Sequence, residues 1–245
     1  MNFILDVHCH TVASGHAYST LSENAAHAAS IGLTHIAIAD HGPAMPGGAH
    51  LYSIYNQECL PDYIHGVKII KSAEVNITDA KGGLDLPDEL LARLDLAIAS
   101  LHRVVCTPSK KDIHTRSLIN AMQHPCVNIL GHPIDTHFEI DIKAVVLEAA
   151  RTNTIIEINN HSLSPASFRY SKEGDAPHME LLALCKEHNV PVIAASDAHF
   201  CTSVGNFTHA KALIELAGMP EDLVLNTCAD RLFDAVRKKK NSKEH

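Results

Sequence analysis

Short runs of consecutive aliphatic residues recur along the chain, separated by segments whose apolar residues repeat at helical spacing. The first run, Phe3-Ile4-Leu5, leads into Asp6-Val7-His8-Cys9-His10. Six more follow: Leu33 to Asp40, Val67 to Ala73, Leu94 to Leu101, Val127 to Leu130, Thr154 to Ile158 and Val190 to Ala195. Their hydrophobicity is continuous rather than alternating, as in strands covered on both faces. Thr20-Leu21-Ser22-Glu23 has the form of a capping box and opens an alanine-rich helix, Asn24 to Ile31, closed by Gly32. A brief helix over Leu86 to Leu94 carries Pro87 early, and longer helices are predicted over Ser109 to Met122, Asp141 to Ala150 and Ala176 to His188. Segments around Lys211 to Ala217, Pro220 to Leu225 and Ala229 to Lys238 close the chain as helices. Gly42 to Pro61, rich in Gly and Pro and holding Tyr52 and Tyr55, reads as a functional loop or lid with room for a short helix. Seven strands alternating with helices, with no linker or break in composition, predict an α/β fold: one parallel, barrel-like domain over residues 1–245.

The polar residues that interrupt this pattern fall where the strands end. His8 and His10 lie two apart on one strand and so share a face. His16 follows; then Asp40-His41 ends the second strand, Glu74 the third, His102 the fourth, His132 the fifth, and Asp197 with His199 the seventh. In a parallel barrel all strand C-termini lie on one face, so residues spread over most of the chain converge there. Any one of these histidines has an ordinary account, as a helix cap or a partner for a carbonyl, and His35 is read that way. Together they would bury many imidazoles and carboxylates at one mouth, which requires compensation that metal ions supply. Nine candidate ligands, His8, His10, His16, His41, Glu74, His102, His132, Asp197 and His199, at about three protein ligands per ion, predict two or three metals. Nitrogen and oxygen donors without thiolate suit zinc, manganese or iron.

Composition narrows the class further. A chain of 245 residues is long enough to bury a barrel core. The net charge of −8 argues against non-specific nucleic-acid binding. Lys238, Lys239, Lys240 and Lys243 form a small basic tail, expected to be a solvated, frayed end. No signal-like segment precedes the first strand and no apolar run approaches the roughly 18 residues that span a bilayer, so a cytoplasmic location is expected. Seven scattered cysteines without a Cys-x-x-Cys pair point to reduced thiols. The compositional outlier is histidine, at 19 residues.

The order His-x-His, a third His at His16, Asp40-His41, Glu74, His102, His132 and Asp197-x-His199 resembles the polymerase and histidinol phosphatase (PHP) superfamily. Thr11-Val12-Ala13-Ser14-Gly15-His16-Ala17-Tyr18-Ser19-Thr20 and Ala73-Glu74-Val75-Asn76-Ile77 look more narrowly like its YcdX-type phosphatases. The resemblance covers essentially the whole chain, with all nine metal positions filled. It implies a distorted seven-stranded (β/α)7, TIM-barrel-like fold with three divalent metal ions, usually zinc, that hydrolyse phosphate monoesters with metal-activated water. By family analogy His8, His10, Glu74 and Asp197 would hold one ion, Glu74, His102 and His132 a second, and His16, His41 and His199 a third, with Glu74 bridging. Mn2+ or Fe2+ would serve the same donors. Arg103 and Arg169 are the arginines placed to bind the phosphate. Asp40 or His161 is expected to donate a proton to the leaving oxygen, Asp40 alternatively orienting His41. The expected partner is a small phosphate ester, without nucleic acid or membrane, and a homo-oligomer is compatible with the sequence. The competing readings are an amidohydrolase acting on C–N bonds, which normally has eight strands and a bridging lysine, for which Lys71 lies off position, and a PHP module with a nuclease or accessory role.

Overall fold

In the computed structural model, residues 1–170 and 173–241 are described. In chain order the elements are β1 (Leu5–Cys9), α1 (Leu21–Ser30), β2 (His35–Ile38), α2 (Leu51–Tyr55), β3 (Tyr63–Ile64), β4 (Val67–Asn76), α3 (Asp88–Leu91) and β5 (Leu96–Ser100). They continue with α4 (Lys111–Met122), β6 (Ile129–Leu130), α5 (Ile142–Thr152), β7 (Ile155–Asn159), α6 (Ala176–Glu187), β8 (Val192–Ala195), α7 (Thr208–Leu216) and α8 (Ala229–Asn241). Among the described residues the parallel strands run β1-β2-β4-β5-β6-β7-β8, while β3 pairs antiparallel with β4. The result is a nearly closed, seven-stranded parallel barrel with alternating helices, a distorted relative of the TIM barrel.

Two apolar layers hold it. Leu5, Val7, Ala37, Ile70, Leu96, Ile98, Ile129, Ile155 and Ile193 fill the barrel, and Leu232 and Val236 of α8 join them. The opposite strand faces, with Ile36, Ile69, Ala73, Leu130, Ile156 and Val192, pack on the helices. Alternation along each strand therefore runs inside-outside even though both faces are apolar. Continuing the inward positions toward the C-termini replaces aliphatic residues by polar ones: Ile70-Ser72-Glu74, Ile98-Ser100-His102, Ile155-Glu157-Asn159 and Ile193-Ala195-Asp197. Gly131 occupies the same level, where a Cβ would collide with Ser100 Oγ.

Between β8 and β1 the barrel is joined by few ladder bonds. Cys9 pairs with Ala198 beyond the end of β8, with His10 N donating to Ala198 O at 2.9 Å. Lower down, the Asn226 amide fills the gap: Oδ1 accepts Ala194 N–H at 2.7 Å, and Nδ2 donates to Ala194 O at 2.8 Å and Leu5 O at 3.2 Å. One buried side chain thus does the hydrogen bonding of a missing strand pair.

The structure corrects three expectations and fills in a fourth. Pro220 to Leu225 is not an α-helix but the start of two 3-10 turns, Glu221–Leu223 and Leu225–Thr227, because Val224 between them is extended with ψ of 100°. Glu74 does not end its strand: β4 runs on to Asn76 because Ser72–Asn76 switches partner from β2 to β5. The loop after His41 holds the short helix it had room for, α2, followed by a 3-10 turn. Lys238, Lys239 and Lys240 are no frayed tail but the last turn of α8; Lys239 is buried and donates to Met122 O, and Lys240 donates to Leu94 O at 2.9 Å. Lys239 meets the last carbonyl of α4, where a cation is favoured, and Lys240 one in the turn before β5; Lys243 lies outside the described residues.

Replacing Asn226 by Leu is expected to lower stability by roughly 2–4 kcal/mol, since three buried backbone groups lose their partner; urea unfolding measures it. His178 on α6 is buried, its Nδ1 lacks a hydrogen-bond partner, and burial pushes its pKa down to about 4. The unfolded chain therefore takes up a proton near pH 6.5 that the folded chain refuses until about pH 4, so stability falls as pH drops through that window. His178→Leu is expected to remove roughly 2 kcal/mol of the stability difference between pH 7 and pH 5, read as a smaller shift in the urea midpoint.

Candidate metal centre

The first ligands are delivered by a bulge. In β1, Asp6 pairs with Ile36 but Cys9 with Ile38, so Val7 and His8 both stand opposite Ala37. The extra residue shifts the alternation: Leu5 and Val7 point into the apolar barrel, His8 and His10 into its mouth, and Cys9 into the outer layer. Asp6 is left facing away, where its carboxylate accepts Ser196 N–H at 3.2 Å and Gly205 N–H at 2.8 Å. Elsewhere around the mouth two ligand candidates turn the chain through the left-handed region, His132 with φ of 24° and Asp197 with φ of 55°. Non-glycine residues reach that region at a cost, and held ones cluster at functional sites.

Glu74 lies at the middle of the cluster and is fully buried. Its Oε2 is 2.8 Å from His41 Nδ1, 3.2 Å from His8 Nε2 and 3.6 Å from His10 Nε2. Its Oε1 is 2.9 Å from His132 Nε2 and 3.2 Å from His102 Nε2. Asp197 Oδ1 stands 3.1 Å from His10 Nε2 and 3.7 Å from His8 Nε2. Three groups of donor atoms fall within 4.8 Å of one another: His8, His10 and Asp197; His41, Glu74 and His102; and His10, His41 and His199. The His16 ring lies 5.0 Å from that of His41 and 4.9 Å from that of His199. All nine sequence candidates are thus brought together.

The donors fit metal ions. His8 Nε2, His41 Nδ1, Glu74 Oε2 and His102 Nε2 are buried and, despite their closeness, make no hydrogen bond. Buried polar atoms are almost always bonded, and these four aim at a shared space. Burial is the largest influence on His8, His10, Glu74 and His102. It pushes His102 down to about 4 and His10 well below the ordinary imidazole value, His41 adding to the effect on His10. At Glu74 burial raises the pKa, but His8, His102 and His41 outweigh it and hold the carboxyl well below its usual range. At His8 burial is likewise outweighed, here by Glu157, Glu74 and Asp197, which raise the pKa well above the usual value. The ionised Glu74 and the neutral His10 and His102 are in the protonation states that bind a divalent cation, whereas His8, kept protonated by three carboxylates, would give up its proton to one.

A layer of supporting residues fixes the ligands. Glu157, buried on β7, takes His8 Nδ1 at 2.6 Å on one oxygen and the His132 N–H at 2.6 Å on the other. Asn76 Oδ1 lies 2.8 Å from His102 Nδ1, and Ser14 Oγ lies 3.2 Å from His10 Nδ1. Each sets a ring's orientation and which nitrogen faces the centre. The sequence reading missed Glu157, Asn76 and Ser14. A charged residue inside the apolar run Thr154 to Ile158 was the available signal, since a strand covered on both faces has no solvated side for it.

The remaining candidates separate. A cavity of about 890 Å³ opens over the cluster and is lined by Arg103, Arg169 and His161 together with His16, His102, Asp197 and His199. Arg169 is buried and donates through Nη1 to Asp197 Oδ2 at 2.6 Å. Arg103 is exposed, 3.2 Å from His137 Nε2. Asp40 is engaged elsewhere: its carboxylate accepts Thr11 N–H and Oγ1–H at 2.7 Å each and Ser14 Oγ–H at 2.6 Å. It meets His41 only through Ser14 Oγ, which accepts the His41 backbone N–H at 3.2 Å, so its place is that of an anchor for the Thr11–Ser14 turn. Lys71 alternates with Ile70 and lies on the strand face away from Glu74.

Among the described residues no helix is long and apolar enough to cross a membrane. A protein named probable phosphatase from Clostridium novyi is 41% identical over 245 residues, covering 100% of this chain and 98% of its own. Another of that name from Thermoanaerobacter sp. strain X514 is 45% identical over 242 residues, covering 98% and 97%. Among solved structures, histidinol phosphate phosphatase from Lactococcus lactis, complexed with zinc, L-histidinol and phosphate, superposes with a TM-score of 0.59 at 16% identity, over 88% of this chain and 94% of that one. The family model described as PHP domain matches residues 6–161, from the bulged strand of the first ligands to the end of β7, and the chain belongs to that family.

Proposed function

We propose that this protein is a metal-dependent phosphatase that hydrolyses phosphate monoesters of small molecules at a trinuclear, zinc-type centre. The observation that carries the reading is Glu74, whose two oxygens are shared among five imidazoles inside a pocket otherwise made of nitrogen and oxygen donors. His8, His10 and Asp197 with one Glu74 oxygen would hold one ion, His102 and His132 with the other oxygen a second, and His16, His41 and His199 a third. Such ions, when bound, act as Lewis acids on phosphoryl oxygens and lower the pKa of water toward neutrality. The relatives named probable phosphatase and the zinc- and phosphate-bound structural neighbour support the same chemistry.

The chain's own residues supply the rest. Glu157, Asn76 and Ser14 keep the ligand rings in one orientation. Arg103, at the open side of the cavity, takes a phosphate oxygen, and Arg169 does so while holding Asp197 in place. His161 faces the same cavity, and partial burial lowers its pKa, so it is neutral at pH 7 and serves as a hydrogen-bond partner for the leaving oxygen.

Glu74→Gln is expected to lose at least about 1,000-fold in p-nitrophenyl phosphate hydrolysis, since it removes the charge two ions share, with a matching loss of bound metal by elemental analysis. Full activity at full metal content would sink the assignment, as would wild-type hydrolysis of a cyclic amide in place of phosphate esters. Glu157→Gln keeps the volume but weakens the hold on His8; a loss of about 10- to 100-fold in metal affinity is expected, measured by competition with a chelator dye.

A further inference from the structure

On the open side of the cavity, away from the ligand cluster, four side chains form a continuous polar chain. Asp135 and His137 belong to a turn in which Phe138 N–H donates to Asp135 O at 3.0 Å. Asp135 Oδ1 accepts the His137 backbone N–H at 2.7 Å and lies 2.8 Å from His137 Nδ1. His137 Nε2 lies 3.2 Å from Arg103 Nη1, and Asp135 Oδ2 lies 3.8 Å from Arg169 Nε. The exposed Phe168 ring stands against both arms, 6.0 Å from the His137 ring and 5.3 Å from the Arg169 guanidinium carbon.

The chemistry of these groups admits one arrangement. A guanidinium has donors only, and the carboxylate has acceptors only. His137 satisfies both as the neutral tautomer with hydrogen on Nδ1, donating to Asp135 and presenting the bare Nε2 lone pair to Arg103. Asp135 is mostly buried, its side chain 6% exposed, whereas Arg103 sits on the surface beside ligand His102. A free arginine there would sample many rotamers, and ordering it on a phosphate would cost binding strength. The relay removes that cost in advance.

We propose that Asp135 and His137 are positioning residues for substrate phosphate: through His137 the Asp135 carboxylate sets Arg103, and directly it sets Arg169, so that one buried charge aligns two cations over the metal centre. This rests on the phosphatase reading above, in which both arginines meet phosphate.

The test uses the metal-loaded full chain, with p-nitrophenyl phosphate kinetics, calorimetric binding of inorganic phosphate and metal content for three proteins. In His137→Ala the KM and the phosphate Kd are each expected to rise about tenfold, with kcat within about twofold and metal content unchanged. His137→Gln is expected to return both constants to within about threefold of wild type, because its amide NH2 reaches Asp135 while its carbonyl oxygen accepts from Arg103. Unchanged KM and Kd in His137→Ala overturn the proposal, as does a fall in kcat at constant KM, the signature of a proton donor, or a Gln variant no better than Ala. A wild-type protein that neither cleaves the ester nor binds phosphate removes the phosphatase reading itself; a wild type that does both beside an indifferent His137→Ala removes only this inference.

Discussion

One carboxylate within 3.6 Å of five imidazole nitrogens is the constraint around which the mouth of this barrel is arranged. Burying that many polar atoms is unfavourable unless each has a partner, and hydrogen bonds alone leave several of them unmatched. The barrel meets the demand in layers. Aliphatic side chains fill its lower part, the candidate ligands crown it, and Glu157, Asn76 and Ser14 hold His8, His102 and His10 from behind. Strain at His132 and Asp197 belongs to the same account, since surrounding bonds hold two non-glycine residues in the left-handed region: Glu157 at the His132 N–H, Arg169 at the Asp197 carboxylate.

Much of this was legible in the sequence because its two strongest signals are local. Continuous apolar runs identify buried strands, and a histidine or carboxylate at the end of such a run stands out against it. The nine candidate ligands are picked out that way, and the fold brings their side chains to one mouth. What escaped was whatever depends on a partner distant in the chain. Glu157 looked like one polar residue in an apolar strand, and only the fold sets it against His8, 149 positions away. Lys239 and Lys240 looked like a solvated tail because the carbonyls they meet belong to α4 and to the turn before β5. Asp40 reads as a proton donor or as a support for His41, and the bonds its carboxylate makes, to Thr11 and Ser14, come from a turn 26 to 29 positions back in the chain.

The barrel also divides its labour along its circumference. Backbone ladders join β1, β2 and β4 through β8 in order, but the last seam has the Cys9–Ala198 bridge and otherwise relies on side chains, Asn226 below and Asp6 toward the mouth. Two ligand-bearing stretches flank that seam, His8–His10 and Asp197–His199, so the site itself straddles the least regular part of the sheet.

The bulge in β1 has a volumetric consequence. Because Val7 and His8 both stand opposite Ala37, three side chains share space that a regular pair of strands gives to two. The residue that faces both is a buried methyl, Ala37, on the inward side of β2. The small side chain on β2 is thus the counterpart of the extra residue in β1 that turns His8 and His10 toward the mouth.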